Sequence, residues 1–165
     1  MDKDSAQILK AAMGEEVAPK PARKTIPPPI SVDHWTPAVL LERAKYLREI
    51  ARHGDGLGSE VLHEYPRHFS VLTFRDRTGE SEIHEKFADM FYILAGSTTL
   101  VTGGKLVNAR GVGPGEIRGD AIEGGTQQEL RVGDVAHVPA GTPHHMVVSG
   151  EKTVTYFVMK NQESD

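Results

Sequence analysis

From Gly58 onward, apolar and polar residues alternate with a period of two, interrupted every few positions by Gly, Pro, Asp or Ser. That pattern suits short strands with one buried face, and so many in succession imply a β-sandwich or barrel rather than a doubly wound α/β sheet. The candidate strands are 59–65, 69–75, 81–84, 90–94, 98–102, 105–107, 135–138, 144–148 and 154–160. Gly103-Gly104 between two of them has the signature of a hairpin turn. The glycine-rich stretch 110–125 reads as an excursion between strands.

What precedes the strands differs. Residues 1–30 carry few apolar side chains and the run Pro27-Pro28-Pro29, which predicts a flexible, dispensable tail. Residues 31–58 hold a helix: Thr36 is suited to the N-cap, Pro37 to the first helical position, and Gly54, Gly56 and Gly58 end it. Val39, Leu40, Leu47 and Ile50 form the stripe expected to dock on the outside of the strands. Residues 59–165 form the β domain, and the length of 165 residues fits one domain on the prior of about 100–200 residues.

Composition narrows the function. With 19 basic and 23 acidic residues the net charge is −4, which argues against a nucleic-acid partner. No apolar run reaches the roughly 18–20 residues that span a bilayer, so no membrane role is expected. The expected location is cytoplasmic, or exported with a signal already removed. Cysteine is absent, which removes disulfides, thiolate metal sites and cysteine nucleophiles. Neither a phosphate-binding Gly-Lys-Ser/Thr loop nor a Gly-x-Ser-x-Gly elbow is present. Eight histidines remain for metal or acid–base chemistry.

Two segments concentrate that chemistry. In the first, Glu82 and His84 stand two apart and share one strand face, and a bend over residues 85–88 can return Asp89 to the same side. In the second, Gly133, Pro139, Gly141 and His144 place an imidazole at the start of a strand after a Pro-Gly turn. These segments resemble the two motifs of the cupin superfamily. The second matches at Gly133, Pro139, Gly141 and His144, with Val148 in place of a final Asn. The first matches at His84 and Gly96, with Glu82, Asp89 and Asp76 in place of a histidine, a glutamate and a glycine.

The resemblance implies an all-β double-stranded β-helix, the cupin jelly-roll barrel, with one N-terminal α-helix packed outside. It implies a metal held inside by Glu82, His84, Asp89 and His144, and a homodimer. Imidazole and carboxylate without thiolate suit divalent Fe, Mn, Zn, Ni or Co. Glu82 or His145 is the candidate for moving a proton, His145 having as its alternative a place on the rim or outer face. Phe91, Ile93, Met146 and Val148 share the ligand-side parity and are expected on a pocket wall or in plain core; His137 joins them if its strand parity turns it inward. The expected function is metal-dependent chemistry on a small organic molecule, of oxygenase, isomerase or lyase type. The alternative is a non-catalytic module binding a small molecule or metal.

Overall fold

A computed structural model describes residues 32–164; the tail read over residues 1–30 lies outside them. Helix α1 (Pro37–His53) leads into β1 (Leu57–Glu64), β2 (His68–Arg75), β3 (Ser81–His84), β4 (Phe87–Thr102), β5 (Lys105–Val107) and β6 (Arg110–Gly113). There follow β7 (Glu116–Gly119), β8 (Ala121–Glu123), β9 (Thr126–Arg131), β10 (Val135–Val138), β11 (His144–Val147) and β12 (Val154–Gln162). Ten of these form one curled antiparallel sheet in the order β1-β2-β12-β4-β11-β3-β7-β6, with β9 and β10 also on β4, and β5 pairs β8 apart from it. Among the described residues this is the double-stranded β-helix with one helix outside.

The long strand β4 joins the two walls. Residues 87–96 pair with β12, and residues 97–102 with β9 while 99–102 pair with β11. The alternation pattern predicts two strands here, yet the chain runs through as one, bent at Gly96. That residue has φ +73°, and a Cβ on it would lie 1.9 Å from the Thr153 carbonyl oxygen, so glycine alone fits.

The excursion expected over residues 110–125 is instead β6, β7 and β8, with β9 following directly. Glycine and charged residues make poor strands by propensity, but β3 and β4 offer open edges, and ladder pairing with them overrides it. The hairpin expected at Gly103-Gly104 is also corrected. Both glycines take positive φ, but β5 pairs β8 rather than β4, whose edge is filled by β9.

Thr36 caps α1, its side-chain oxygen accepting from the Val39 N–H at 3.3 Å, with Pro37 next to it. The helix buries Leu40, Ala44, Leu47 and Ala51 against Leu72, Phe74 and Leu94. Val39, expected in this stripe, is instead 49% exposed, because the buried positions fall on an i, i+4, i+7, i+11 line about 100° away. Ile50 packs at the edge. Gly58 lets α1 approach: a Cβ there would sit 2.0 Å from the Leu47 carbonyl oxygen.

A second core lies between the sheet walls, formed by Val71, Phe91, Ile93, Leu100, Met146, Val154, Tyr156 and their neighbours. Strand β2 thus serves both cores, Leu72 and Phe74 facing the helix while Val71 faces inward.

Candidate metal centre

The inward faces of β2, β4 and β12 line a cavity of about 210 Å³. Val61, Phe69, Val71, Phe91 and Val158 make its apolar wall, and Glu82, His84, Asp89, Glu116, Arg118 and Lys160 make its charged side. Glu82 and His84 sit on one face of β3 because they are two apart, and β3 pairs β7 so that Glu82 lies opposite Arg118 and His84 opposite Glu116. His144 opens β11 directly across from Glu82. Asp89 follows the short connection between β3 and β4.

These placements bring Glu82, His84, Asp89 and His144 together, with one ligand atom of each within 4.8 Å of all the others. The two imidazoles, 5.1 Å apart between ring centroids, are both held by their outer nitrogens. His144 Nδ1 lies 3.0 Å from the Thr142 carbonyl oxygen and, facing an acceptor, donates to it. His84 Nδ1 donates in the same way to Glu116 Oε2 at 2.7 Å. Each Nε2 therefore points into the cluster. His144 Nε2 is buried and makes no hydrogen bond with any described residue; Glu82 Oε1 and Asp89 Oδ2 each stand 3.5 Å from it. With this buried imidazole nitrogen facing two carboxylates, the four side chains could hold a divalent metal ion.

The four groups shift one another's titration. Burial opposes a charge on His144, yet attraction from Asp89 and Glu82 outweighs it and lifts its pKa to about 9. His84 is pushed down by burial and by the Lys160 ammonium, but Asp89, Glu116 and Glu82 carry it upward on balance. Burial works against the Asp89 carboxylate, while Lys160 and the two histidines hold it far below the usual range. Glu82 behaves alike: against burial, His144, His84 and Arg118 keep it well below the ordinary glutamate value. Glu82 and Asp89 thus stay ionised, balanced by the two imidazoles, Arg118 and Lys160.

The other sequence expectations are distributed differently. Phe91 lies on the cavity wall, whereas Ile93, Met146 and Val148 pack into the core between the walls. His137 points outward from β10, exposed, with Nε2 3.8 Å from Glu163 Oε1, and is not on the wall of this cavity. His145 is not on the rim or outer face: it is buried, and its Nε2 lies 2.8 Å from the Gly79 carbonyl oxygen. A ring nitrogen spent on a backbone carbonyl fixes a loop rather than serving a ligand.

Three charged groups escaped the sequence reading. Arg118 forms ion pairs with Glu82 and, at 3.5 Å, with Glu116. Lys160 lies opposite Asp89 in the β4–β12 register. Its Nζ is 2.7 and 2.8 Å from the two Asp89 oxygens and 2.8 Å from His84 Nε2. The signal for Lys160 was parity: it follows Tyr156 and Val158 at steps of two on β12 and so must share their inward face. Glu116 and Arg118 gave none, since their strand was not read as one.

The architecture and this interior polar cluster define a cupin-type double-stranded β-helix. Among solved structures, the chain is similar to TT1209 from Thermus thermophilus, at 17% identity over 70% of this chain and 93% of that one, with a TM-score of 0.50. KdgF from Halomonas sp. aligns at 17% identity over 68% and 85%, TM-score 0.48. The cupin-2 domain Rru_A2000 from Rhodospirillum rubrum aligns at 16% identity over 67% and 62%, TM-score 0.47. At such identities the likeness is one of fold. No family model and no curated protein matches the chain. Among the described residues, no helix is long and apolar enough to cross a membrane.

Proposed function

We propose that this chain is a metal-dependent cupin acting on a small organic molecule. His84, His144 and Asp89 are ligands, and Glu82 is the fourth ligand or the group that holds a proton beside the ion. The observation that carries this reading is the buried His144 Nε2, anchored through Nδ1, unpaired, and facing Asp89 and Glu82 at 3.5 Å. Two imidazoles with two carboxylates and no thiolate suit Fe, Mn, Zn, Ni or Co, the harder carboxylate pair favouring Mn or Fe.

Bound there, a divalent ion supplies Lewis acidity or redox chemistry next to the apolar wall. The chain's residues do the positioning. Glu116 fixes the His84 ring, and Arg118 fixes the Glu82 carboxylate. Phe69, Val71, Phe91 and Val158 keep water from the ligand. Glu82, ionised at neutral pH, accepts a proton rather than giving one. Oxygenation, isomerisation and lyase chemistry all need such a partly dry, charged pocket. The Lys160 ammonium favours a second reading, in which the cluster is neutralised from within and the barrel binds a small molecule without catalysis.

Metal content measured by plasma mass spectrometry separates the two. The wild-type protein is expected to carry close to one ion per chain. His84→Ala, His144→Ala and Asp89→Ala, each folded by circular dichroism, are expected to lose it, whereas Glu82→Gln keeps it if Glu82 stands outside the coordination sphere. A folded His84→Ala/His144→Ala double variant that retains full metal would overturn the metal reading. We extend the proposal to a cytoplasmic homodimer, with Met90, Tyr92 and Val135 exposing apolar surface on adjacent outward positions of β4 and β10. Light scattering on the eluting protein tests the dimer.

A further inference from the structure

The atoms that a metal would use are in part already taken. Lys160 Nζ contacts both oxygens of Asp89, at 2.7 and 2.8 Å, and His84 Nε2 at 2.8 Å. Asp89 therefore turns both its oxygens to an ammonium, and His84 turns to it the one nitrogen that Glu116 leaves over. His144 Nε2, by contrast, makes no hydrogen bond with Lys160 or any other described residue, and Glu82 Oε1 stands 3.5 Å from it. A divalent ion and an ammonium cannot share the one lone pair of His84 Nε2, and two cations brought together on Asp89 repel in a partly dry cavity.

We propose that Lys160 is a resident competitor for the metal, its ammonium satisfying Asp89 and His84 in the metal-free chain and leaving them when the ion arrives. The inference rests on the metal reading above and adds a control on it. Displacement is sterically available. Lys160 is a flexible four-carbon side chain, its side chain is 18% exposed, and the cavity lies beside it. Retreat along the Phe69 and Val158 wall keeps the stem in apolar contact while the ammonium moves off the donors. The lysine thereby sets how tightly the site loads. It protects a buried carboxylate from standing alone in the empty protein, and it weakens metal affinity by the contacts that must be broken.

The test is calorimetric titration of the full chain with Zn²⁺ and with Mn²⁺ at one fixed pH, comparing wild type with Lys160→Met. The variant is expected to bind about ten- to a hundredfold more tightly, since no charge-assisted contacts are broken on loading. Lys152→Met removes the same charge from an exposed pair with Glu129 and is expected to leave affinity within about twofold, surface charge being screened. Equal or weaker binding by a folded Lys160→Met protein overturns the proposal. Should that variant fail to fold, the wild type answers by lysine ¹³Cε spectra, the Lys160 signal being assigned by its loss in Lys160→Arg. Saturating Zn²⁺ is expected to shift that signal, and an unmoved signal with zinc bound overturns the proposal. Metal binding by neither protein sinks the metal reading itself, an outcome distinct from equal binding by both.

Discussion

The two faces of β2 bury their side chains in opposite surroundings. Leu72 and Phe74 meet the apolar Leu40, Ala44, Leu47 and Ala51 of α1, with the Arg48 guanidinium over the Phe74 ring. One residue along, Val71, Thr73 and Arg75 face a cavity that also holds Glu82, His84, Asp89, Glu116, Arg118 and Lys160. Burial of an apolar side chain stabilises by about 1.5–3 kcal/mol, while a buried charge costs unless paired. The helix side therefore contributes net stability. The cavity side spends its interactions on satisfying its own charges, and the cluster it forms could hold a cation. One strand carries both tasks because its side chains alternate.

The comparison breaks most visibly at Leu47, which is 1% exposed at the centre of the helix–sheet contact. Leu47→Asp loses the apolar burial and forces an unpaired carboxylate into the same place, so urea denaturation is expected to show a loss above about 3 kcal/mol. The fraction that stays folded should keep its metal stoichiometry, because α1 contributes nothing to the cluster. A stability near wild type would mean that the helix does not hold the fold. Metal loss in the folded fraction would mean that the two faces are not separable.

Glu116→Gln sharpens the other side of the comparison. Glu116 Oε2 receives the His84 Nδ1 proton at 2.7 Å, and its side chain is 29% exposed, so the expected cost to stability is modest, about 1 kcal/mol. The effect on metal affinity is larger, about 10- to 100-fold weaker, because the ring that presents Nε2 loses its charged anchor. Titration calorimetry beside urea denaturation reads both quantities. Equal loss on both scales would make Glu116 a structural residue with no special tie to the site.

The same division decides how much was legible in the sequence. The alternation of β2 and β12, the Thr36-Pro37 helix start and the Gly133–His144 turn are local patterns, and the elements follow them closely. Strand parity and a short bend put Glu82, His84 and Asp89 on one side, while the set of four with His144 was what the motif resemblance implied; the fold brings the four together. What stayed hidden depends on pairing between distant segments. Strands β7 and β9 pair with the edges of β3 and β4, β6 with β7 and β8 with β5, and of these partners all but β7 for β6 lie outside any window of residues 110–131. Glu116 and Arg118 vanished with them. His137 and His145 flank or adjoin true site positions in sequence, yet one points to solvent and the other to the Gly79 carbonyl, because a single step along a strand reverses the face.

The smallest effect is expected on the solvent side of the helix, at Arg43. Its guanidinium pairs with Glu60 of β1, both side chains more than a third exposed, at 43% and 36%. Such a pair gains little over water and is screened by salt; exposed pairs contribute about 0.2–1 kcal/mol. Arg43→Asp replaces attraction with repulsion across the same gap, so the loss should stay within about 1 kcal/mol in low salt and shrink further in about 1 M salt. Metal content should not change. Set beside Leu47→Asp, one helical turn on, this variant asks whether α1 is docked by its buried stripe or by its charges. A loss as large as that at Leu47, and insensitive to salt, would assign the docking to the Arg43–Glu60 pair and reverse the roles of the helix's buried and solvent-facing sides.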